Sequence, residues 1–376
     1  MALFLLVTLV QLLAWGLILR PAFRPPSSPG SAVNPPPVSI IVCFRNEAQH
    51  LEACLSAILR QAHPDFEILA VDDNSTDDSA AIVRRLARAD ARLRYLPAGP
   101  TRPGKKDALS RGIRAARHER VLLTDADCLP ATDQWATHMA GALGETTELA
   151  LGVSLYRKTG GGLLHHWQTF ESVYVALQYL GFARMGVPYM GVGRNLAYRK
   201  SLFERAGGFA RHADLPGGDD DLLVNQMARA DRTATVTDAS AWTWSLPKTS
   251  WRAYWRQKRR HQSAGHRYRP EHQLLLTLLG LSHGLFFLLG LWGLFSSWWL
   301  VALAAYFLRL PLVLTAVQSP FHGKTEQPFI GEPPGRARGR KRAGATSVGR
   351  AMVFDVLLAP HYLVMTVLGM LPAREW

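Results

Sequence analysis

Three acidic clusters stand out: Asp72 with Asp73, Asp125 with Asp127, and the run Asp219, Asp220 and Asp221. Asp125 and Asp127 flank one residue just after the apolar run Arg120–Leu123. At that spacing both carboxylates can reach one divalent cation and a diphosphate bound to it. Mg2+ or Mn2+ takes oxygen ligands and is commonly shared between one or two carboxylates and substrate phosphates. The run at 219–221 follows Pro216-Gly217-Gly218 and precedes Leu222-Leu223-Val224. Acidic residues there cap a helix start. One Asp suffices for capping, which leaves a carboxylate free to act as general base on a hydroxyl. Between Trp251 and His266 cations and aromatics are dense, and Gln257 and Arg260 share a helical face that can hold a departing diphosphate.

The elements around these residues read as alternating strands and helices. Val38–Phe44 (VSIIVCF) is a continuous apolar run, as expected of a buried parallel strand. Leu51, Leu55, Ile58 and Leu59 then recur at helical spacing. A second strand spans Phe66 to Val71 and ends in Asp72-Asp73. Ile82, Val83 and Leu86 mark a helix, Leu93 to Leu96 a short strand, Lys106 to Ala116 a helix, and Arg120 to Leu123 a strand ending in Thr124-Asp125-Ala126-Asp127. This alternation predicts an α/β domain with a mostly parallel, Rossmann-like sheet. Ligands bind beyond the carboxyl ends of such strands, where the acidic clusters fall. No G-x-G-x-x-G follows the first strand and no P-loop signature occurs, which argues against dehydrogenases and P-loop enzymes.

The 376-residue chain carries 48% hydrophobic and 19% charged residues, with a formal net charge of +14. The apolar excess lies at its ends. Leu3 to Leu19 is long enough to span a bilayer, as are Leu274 to Phe295, Trp298 to Val317 and Met352 to Leu371. Arg20 and Arg24 follow the first run, which predicts an uncleaved anchor with its carboxyl end in the cytosol. Arg336, Arg338, Arg340, Lys341 and Arg342 mark a cytosolic loop between the last two runs. Arg309, inside an apolar run, must snorkel or face polar partners. The basic balance therefore points to membrane lipids, and no nucleic-acid partner is expected. Cys43, Cys54 and Cys128 form no disulfide framework or zinc spacing. The expected order is an anchor at 1–20, a Pro/Ser linker at 21–37, a cytosolic domain at 38–248, an interfacial helix at 249–271, and a membrane region at 272–376 of about three helices with a basic loop at 319–350. Leu163 to Met190 is rich in aromatics and reads equally as a core helix or one resting on the membrane.

In sequence order, SIIVCFRNE, ILAVDDNSTDDS, Gly104-Lys105-Lys106, TDAD, GVGRNLAY, GDDD and QKRRH resemble the motifs of membrane-bound family 2 glycosyltransferases with the GT-A fold. The likeness extends to ceramide glucosyltransferase-like and polysaccharide synthase-like members. The resemblance implies a GT-A nucleotide-sugar-binding domain plus transmembrane helices at both ends. It implies an inverting, metal-dependent hexosyl transfer at the cytosolic face of the cell inner membrane. Glu47, Asp72, Asp73, Lys105, Asp125, Asn195, Gln257 and Arg260 would then bind the donor, expected to be a UDP-sugar. Asp125 and Asp127 would hold Mg2+ or Mn2+. Asp220 would be the base, with Asp219 and Asp221 as rivals. His261 stands where the Q-x-x-R-W motif has Trp and would meet the acceptor. One amino-terminal and about three carboxy-terminal helices favour a lipid-type acceptor. The alternatives are a processive polysaccharide synthase and a membrane scaffold with a degenerate transferase fold.

Overall fold

The computed structural model describes residues 1–24, 35–321 and 347–370, except positions 103, 158, 160 and 216. Most of the expected linker and the cations at 336–342 of the basic loop lie outside the described residues.

The chain opens with helix Ala2–Leu13 (α1), which widens over Ala14–Leu19 and tightens over Arg20–Phe23, where Pro21 sits. Strand Val38–Phe44 (β1) follows, then helix Ala48–Leu59 (α2), strand Phe66–Asp72 (β2), helix Ser79–Ala89 (α3) and strand Leu93–Pro97 (β3). Helix Lys106–Ala115 (α4) leads into strand Arg120–Asp125 (β4). These elements match the sequence reading because each strand is a single apolar run and each helix buries one stripe. In α2 that stripe is Leu51, Cys54, Leu55 and Ile58. Strands Leu129–Pro130 (β5), Leu149–Leu151 (β6), Ser154–Tyr156 (β7), Leu196–Arg199 (β8), Thr233–Thr235 (β9) and Thr243–Ser245 (β10) are shorter. Between them lie helices Trp135–Gly141 (α5), Leu163–Arg184 (α6), Lys200–Arg205 (α7) and Asp221–Met227 (α8).

The main sheet has the order β3-β2-β1-β4-β8-β6-β9. β3, β2, β1 and β4 run parallel, while β8 is antiparallel to both β4 and β6. A smaller sheet, β5-β10-β7, stands beside it. This is the expected α/β GT-A architecture. Register decides the rest: Phe44 pairs with Asp72, and Cys43 pairs with Asp125. The carboxyl ends of β1, β2 and β4 are therefore level, and two acidic clusters separated by 52 positions from Asp73 to Asp125 meet on one edge.

Of the two readings of Leu163 to Met190, the core helix holds. In α6, Trp167, Phe170, Val173, Tyr174, Leu177, Tyr179 and Leu180 are buried on several faces. The helix lies against the amino-terminal segment, with Trp15 and Tyr174 rings 5.9 Å apart. Gly181 allows the close approach, since a Cβ there would lie 2.5 Å from the Ile18 carbonyl oxygen.

Helices Trp251–Gly265 (α9), Pro270–Leu294 (α10), Trp299–Gln318 (α11) and Val348–Met370 (α12) complete the described chain. Among the described residues, four segments are long and apolar enough to cross a membrane: Ala2–Phe23, Pro270–Leu294, Trp299–Gln318 and Val348–Val367. Their outer faces expose Leu6, Leu278, Trp292, Leu308 and Leu357, a surface suited to lipid. Inside the bundle, Arg309 is 1% exposed and does not snorkel. Its Nη2 donates to Asp355 Oδ1 at 3.0 Å, its Nη1 bonds Asp355 Oδ2, and its Nε donates to Gln11 Oε1 at 3.0 Å. His283 Nδ1 lies 3.1 Å away, and the Trp15, Phe286 and Phe287 rings surround the guanidinium. One ion pair thus joins α1, α10, α11 and α12.

Removing one partner of a buried pair strands the other charge and costs about 3–5 kcal/mol, whereas replacing both with apolar residues is often neutral. Arg309→Met should therefore lower the melting temperature of the detergent-solubilised protein sharply. Arg309→Met with Asp355→Leu should restore most of the loss. Equal melting of the single variant and the native chain would disprove this role.

Candidate active site

The level strand ends create a shared edge, and the turns after them aim the side chains. After β2, Asp72 and Asp73 part company. Asp72 accepts from Ser75 N at 2.8 Å and from Tyr95 Oη at 2.8 Å, so it holds the turn and does not line the central cavity. Asp73 does line it and accepts from Thr101 Oγ1 at 2.7 Å. After β1, Asn46 adopts a left-handed backbone at φ 56 and turns the chain so that Glu47 enters the cavity. Burial and the nearby Asp127 push the Glu47 carboxyl up to about 7.

After β4, ligand atoms of Asp125, Asp127 and Cys128 lie within 4.8 Å of one another. Burial and Asp127 keep the Cys128 thiol well above its ordinary value. Its Sγ donates to Asp127 Oδ1 at 3.5 Å, and the two carboxylates form an oxygen donor pair beside it. Two carboxylates with room for substrate phosphate suit Mg2+ or Mn2+. Lys105, at the start of α4, reaches Asp125 Oδ1 at 2.6 Å and Asp219 Oδ2 at 3.3 Å. Burial alone would lower the ammonium, but Asp125 and Asp219 prevail and hold it well above its ordinary value. Burial pulls Asp125 the other way, yet Lys105 keeps it low, while burial and Asp125 push Asp127 up.

The three carboxylates at 219–221 have different surroundings. Asp219 pairs with Lys105. Asp220 caps α8, accepting from Asp221 N at 2.8 Å and from Gly193 N at 2.6 Å. Burial and Asp219 raise its affinity for a proton. Asp221 accepts from Leu222 N and from Tyr268 Oη, both at 2.8 Å, and burial with Asp220 pushes it up to about 8. Capping and placement in the cavity therefore coincide in Asp220.

Asn195, expected at the donor, does not face the cavity. It is fully buried, its Oδ1 accepts from Trp135 Nε1, and its Nδ2 donates to the carbonyls of Val153 and Ala241. Its amide is wholly engaged in tying β8 to the smaller sheet. Its neighbour Arg194, which the sequence reading did not single out, lines the cavity. Gln257, Arg260 and His261 of α9 also line it, together with Lys258. The α9 helix is anchored by Lys258 Nζ, 2.8 Å from the buried Glu171 Oε2, and by Tyr254 Oη, which donates to the same oxygen at 2.8 Å. His261 is exposed where the cavity opens, and desolvation by the cavity wall with the charges of Lys258, Arg260 and Arg194 holds its imidazole well below its ordinary value. Tyr268 and Glu171 were also missed: nothing local distinguishes them, and their roles depend on partners 47 and 87 positions away.

Glu47, Asp73, Lys105, Asp125, Asp127, Arg194, Asp219, Asp220, Asp221, Gln257, Arg260 and His261 border one cavity of about 2120 Å³. It runs from Glu47, Asp73 and Asp125 past Asp220 and His261 to Leu281, Leu288, Leu303 and Leu363 of the membrane-length helices.

The family profile "Glycosyl transferase family 2" matches residues 39–207. The chain carries a family 2 glycosyltransferase domain. Glycosyltransferase AglE of Haloferax volcanii is 26% identical to it over 190 residues, 49% of this chain and 59% of that relative. The GalNAc(5)-diNAcBac-PP-undecaprenol beta-1,3-glucosyltransferase of Campylobacter jejuni is 33% identical over 92 residues, 24% of this chain and 30% of that relative. Each match thus spans less than two thirds of the relative. The solved structure of mannosyltransferase PcManGT from Pyrobaculum calidifontis, in complex with GDP-Man and Mn2+, shares the fold. It is 21% identical at a TM-score of 0.57, covering 98% of this chain and 93% of that one.

The glycosyltransferase domain should show a stability signature of Asp221. Its folded pKa of about 8 lies above the ordinary carboxylate value near 4. Its contribution to stability is therefore full below about pH 4 and is lost as pH rises through about 8. Asp221→Asn should flatten the decline in melting temperature between pH 5 and 9, sparing on the order of a few kcal/mol at the alkaline end. Parallel pH profiles for variant and native chain would rule this out.

Proposed function

We propose that the protein moves a sugar, with inversion, from a nucleotide-sugar donor to a hydroxyl of a lipid-type acceptor at the cytosolic membrane face. The continuous cavity carries this reading. Its polar end holds the acidic sites, and its apolar end lies among helices long enough to span a bilayer. A soluble acceptor would have no use for the second half. The glycosyltransferases similar to this chain include one whose name gives an undecaprenol-linked substrate, which supports a lipid.

In this reading Glu47 and Asp73 contact the nucleoside, and Lys105 and Asp125 hold the diphosphate end, with Asp127 completing the cation site. Mg2+ or Mn2+ bound there supplies positive charge to the donor phosphates. The structurally similar mannosyltransferase carries Mn2+ with its GDP-Man, which supports a divalent cation here. Asp220 takes the proton of the acceptor hydroxyl. Two backbone N–H groups fix the orientation of that carboxylate, and among the described residues no cation forms an ion pair with it. The hydroxyl oxygen bonds to the anomeric carbon as the bond from that carbon to the diphosphate oxygen breaks. The leaving oxygen keeps the electron pair, facing Arg260 and Gln257. His261 borders the acceptor.

Membranes containing the protein, incubated with labelled UDP- and GDP-sugars, should yield label in the organic-extractable lipid. Label confined to polymer would establish the polysaccharide-synthase reading instead, and no transfer at all would favour a scaffold. Asp220→Asn should lower transfer by about 10²- to 10⁴-fold while leaving donor affinity within about twofold. Normal turnover by that variant would exclude Asp220 as the base. The apolar end can be probed at Gly280 of α10, where an added Cβ meets nothing within 4 Å. Gly280 borders the cavity, so Gly280→Leu extends a side chain from that open position into cavity space. It should reduce transfer to membrane lipid by about tenfold or more, with melting temperature and donor affinity unchanged. Full lipid transfer by this variant would remove the proposed acceptor path.

A further inference from the structure

Arg194 is a cavity-lining cation that the proposed transfer has so far left without a role. Its backbone is locked in place. Its carbonyl accepts from Thr124 Oγ1 and from Thr243 Oγ1, both at 3.0 Å. Thr124 immediately precedes Asp125 on β4, so Arg194 is tied to the strand end that bears the acidic pair. The adjacent Gly193 N–H binds Asp220. The short loop therefore spans the distance between the proposed cation site and the proposed base.

The side chain is held differently. It lines the cavity with its guanidinium 5.0 Å from the centre of the Tyr156 ring. Among the described residues no carboxylate pairs with it, and its buried Nη1 has no hydrogen-bond partner. A buried N–H without a partner is costly and rare, and in a binding site it marks where a ligand atom belongs. Ser154 Oγ and Gln257 Oε1, from residues bordering the same cavity, are also buried and unpartnered. A guanidinium is a planar fork that matches phosphate oxygens in pairs, and it keeps its charge at any working pH. Lys105 shares its charge with Asp125 and Asp219, so Arg194 is a second cation available to the phosphates. Arg194 is thus placed to meet a doubly anionic group arriving beside Asp125 and Asp127.

We infer that Arg194 binds the diphosphate of the nucleotide-sugar donor, and of the nucleoside diphosphate that departs. The inference rests on the transfer reading above. In it, the negative charge that gathers on the leaving oxygen meets a cation carried by the protein itself.

Calorimetric titration of the full-length, detergent-solubilised protein tests this with UDP, GDP and the corresponding nucleosides. Arg194→Gln should weaken nucleoside diphosphate binding by about tenfold or more while changing nucleoside binding by less than about twofold. Arg194→Lys keeps the charge but not the fork and should fall between the two. Equal losses for nucleoside and diphosphate, or no loss for either, would overturn the inference. A drop in melting temperature for both variants would assign Arg194 to folding, with the same consequence. If the native chain binds nucleoside diphosphates and Arg194→Gln binds them equally well, only this inference fails. If the native chain binds none, the transfer reading fails with it.

Discussion

The ammonium of Lys105, between Asp125 and Asp219, is the contact on which the cavity depends. Ligand atoms of Asp125 and Asp127 lie within 4.8 Å. At an effective dielectric of about 20 two such charges repel by roughly 3 kcal/mol before solvent screening. The run at 219–221 adds more negative charge across the same space. One lysine bridging the two clusters offsets that repulsion and fixes their separation. Its neighbour extends the effect: Lys106 Nζ donates to the carbonyls of His212 and Leu215, at 2.5 Å and 3.0 Å. That contact anchors the chain just before the Gly217-Gly218 turn. Two consecutive lysines at the start of α4 therefore organise both sides of the site.

A second buried charge attaches the site to the membrane-length helices. Glu171 on α6 is 1% exposed. Burial alone would raise its carboxyl, but Lys258 and His361 hold it down to about 2. Lys258 lies on α9 and His361 on α12, and Trp167 Nε1 supports Tyr254 from below at 2.7 Å. Breaking such a group leaves an unpaired charge, so α9 cannot drift from α6 cheaply. The face bearing Gln257, Arg260 and His261 is thereby held over the acidic end. Arg309 and Asp355 do the equivalent task deeper in the bundle.

Much of this was legible in the sequence because it is local. Continuous apolar runs gave the strands, helical spacing gave α2 and α4, and long apolar segments gave the membrane-length helices. The acidic clusters fell at strand ends, where register brings them together. What escaped the sequence depends on partners. Asp72 and Asp73 are adjacent and chemically identical, yet Tyr95 and Ser75 draw one into the turn while the other enters the cavity. Asn195 looked like a ligand-facing residue because its motif does, but Trp135, Val153 and Ala241 surround it. Arg194, one position earlier, points the opposite way along the chain and reaches the cavity. For α6, an apolar stripe cannot say whether lipid or protein covers it; the sheet and the amino-terminal segment do.

His261 sharpens the acceptor question. Its surroundings contain Lys258, Arg260 and Arg194, and a further cation there would be repelled by all three. Desolvation by the cavity wall and those charges lower the imidazole's affinity for a proton, which favours the neutral ring. A neutral ring can stack on a sugar face or exchange a hydrogen bond with a hydroxyl, and it adds no attraction for an anion. In the proposed transfer Arg260 of α9 serves the departing diphosphate, while His261 next to it offers an uncharged surface. Such a division fits an acceptor that presents a hydroxyl at the acidic end and leaves its apolar part among α10, α11 and α12.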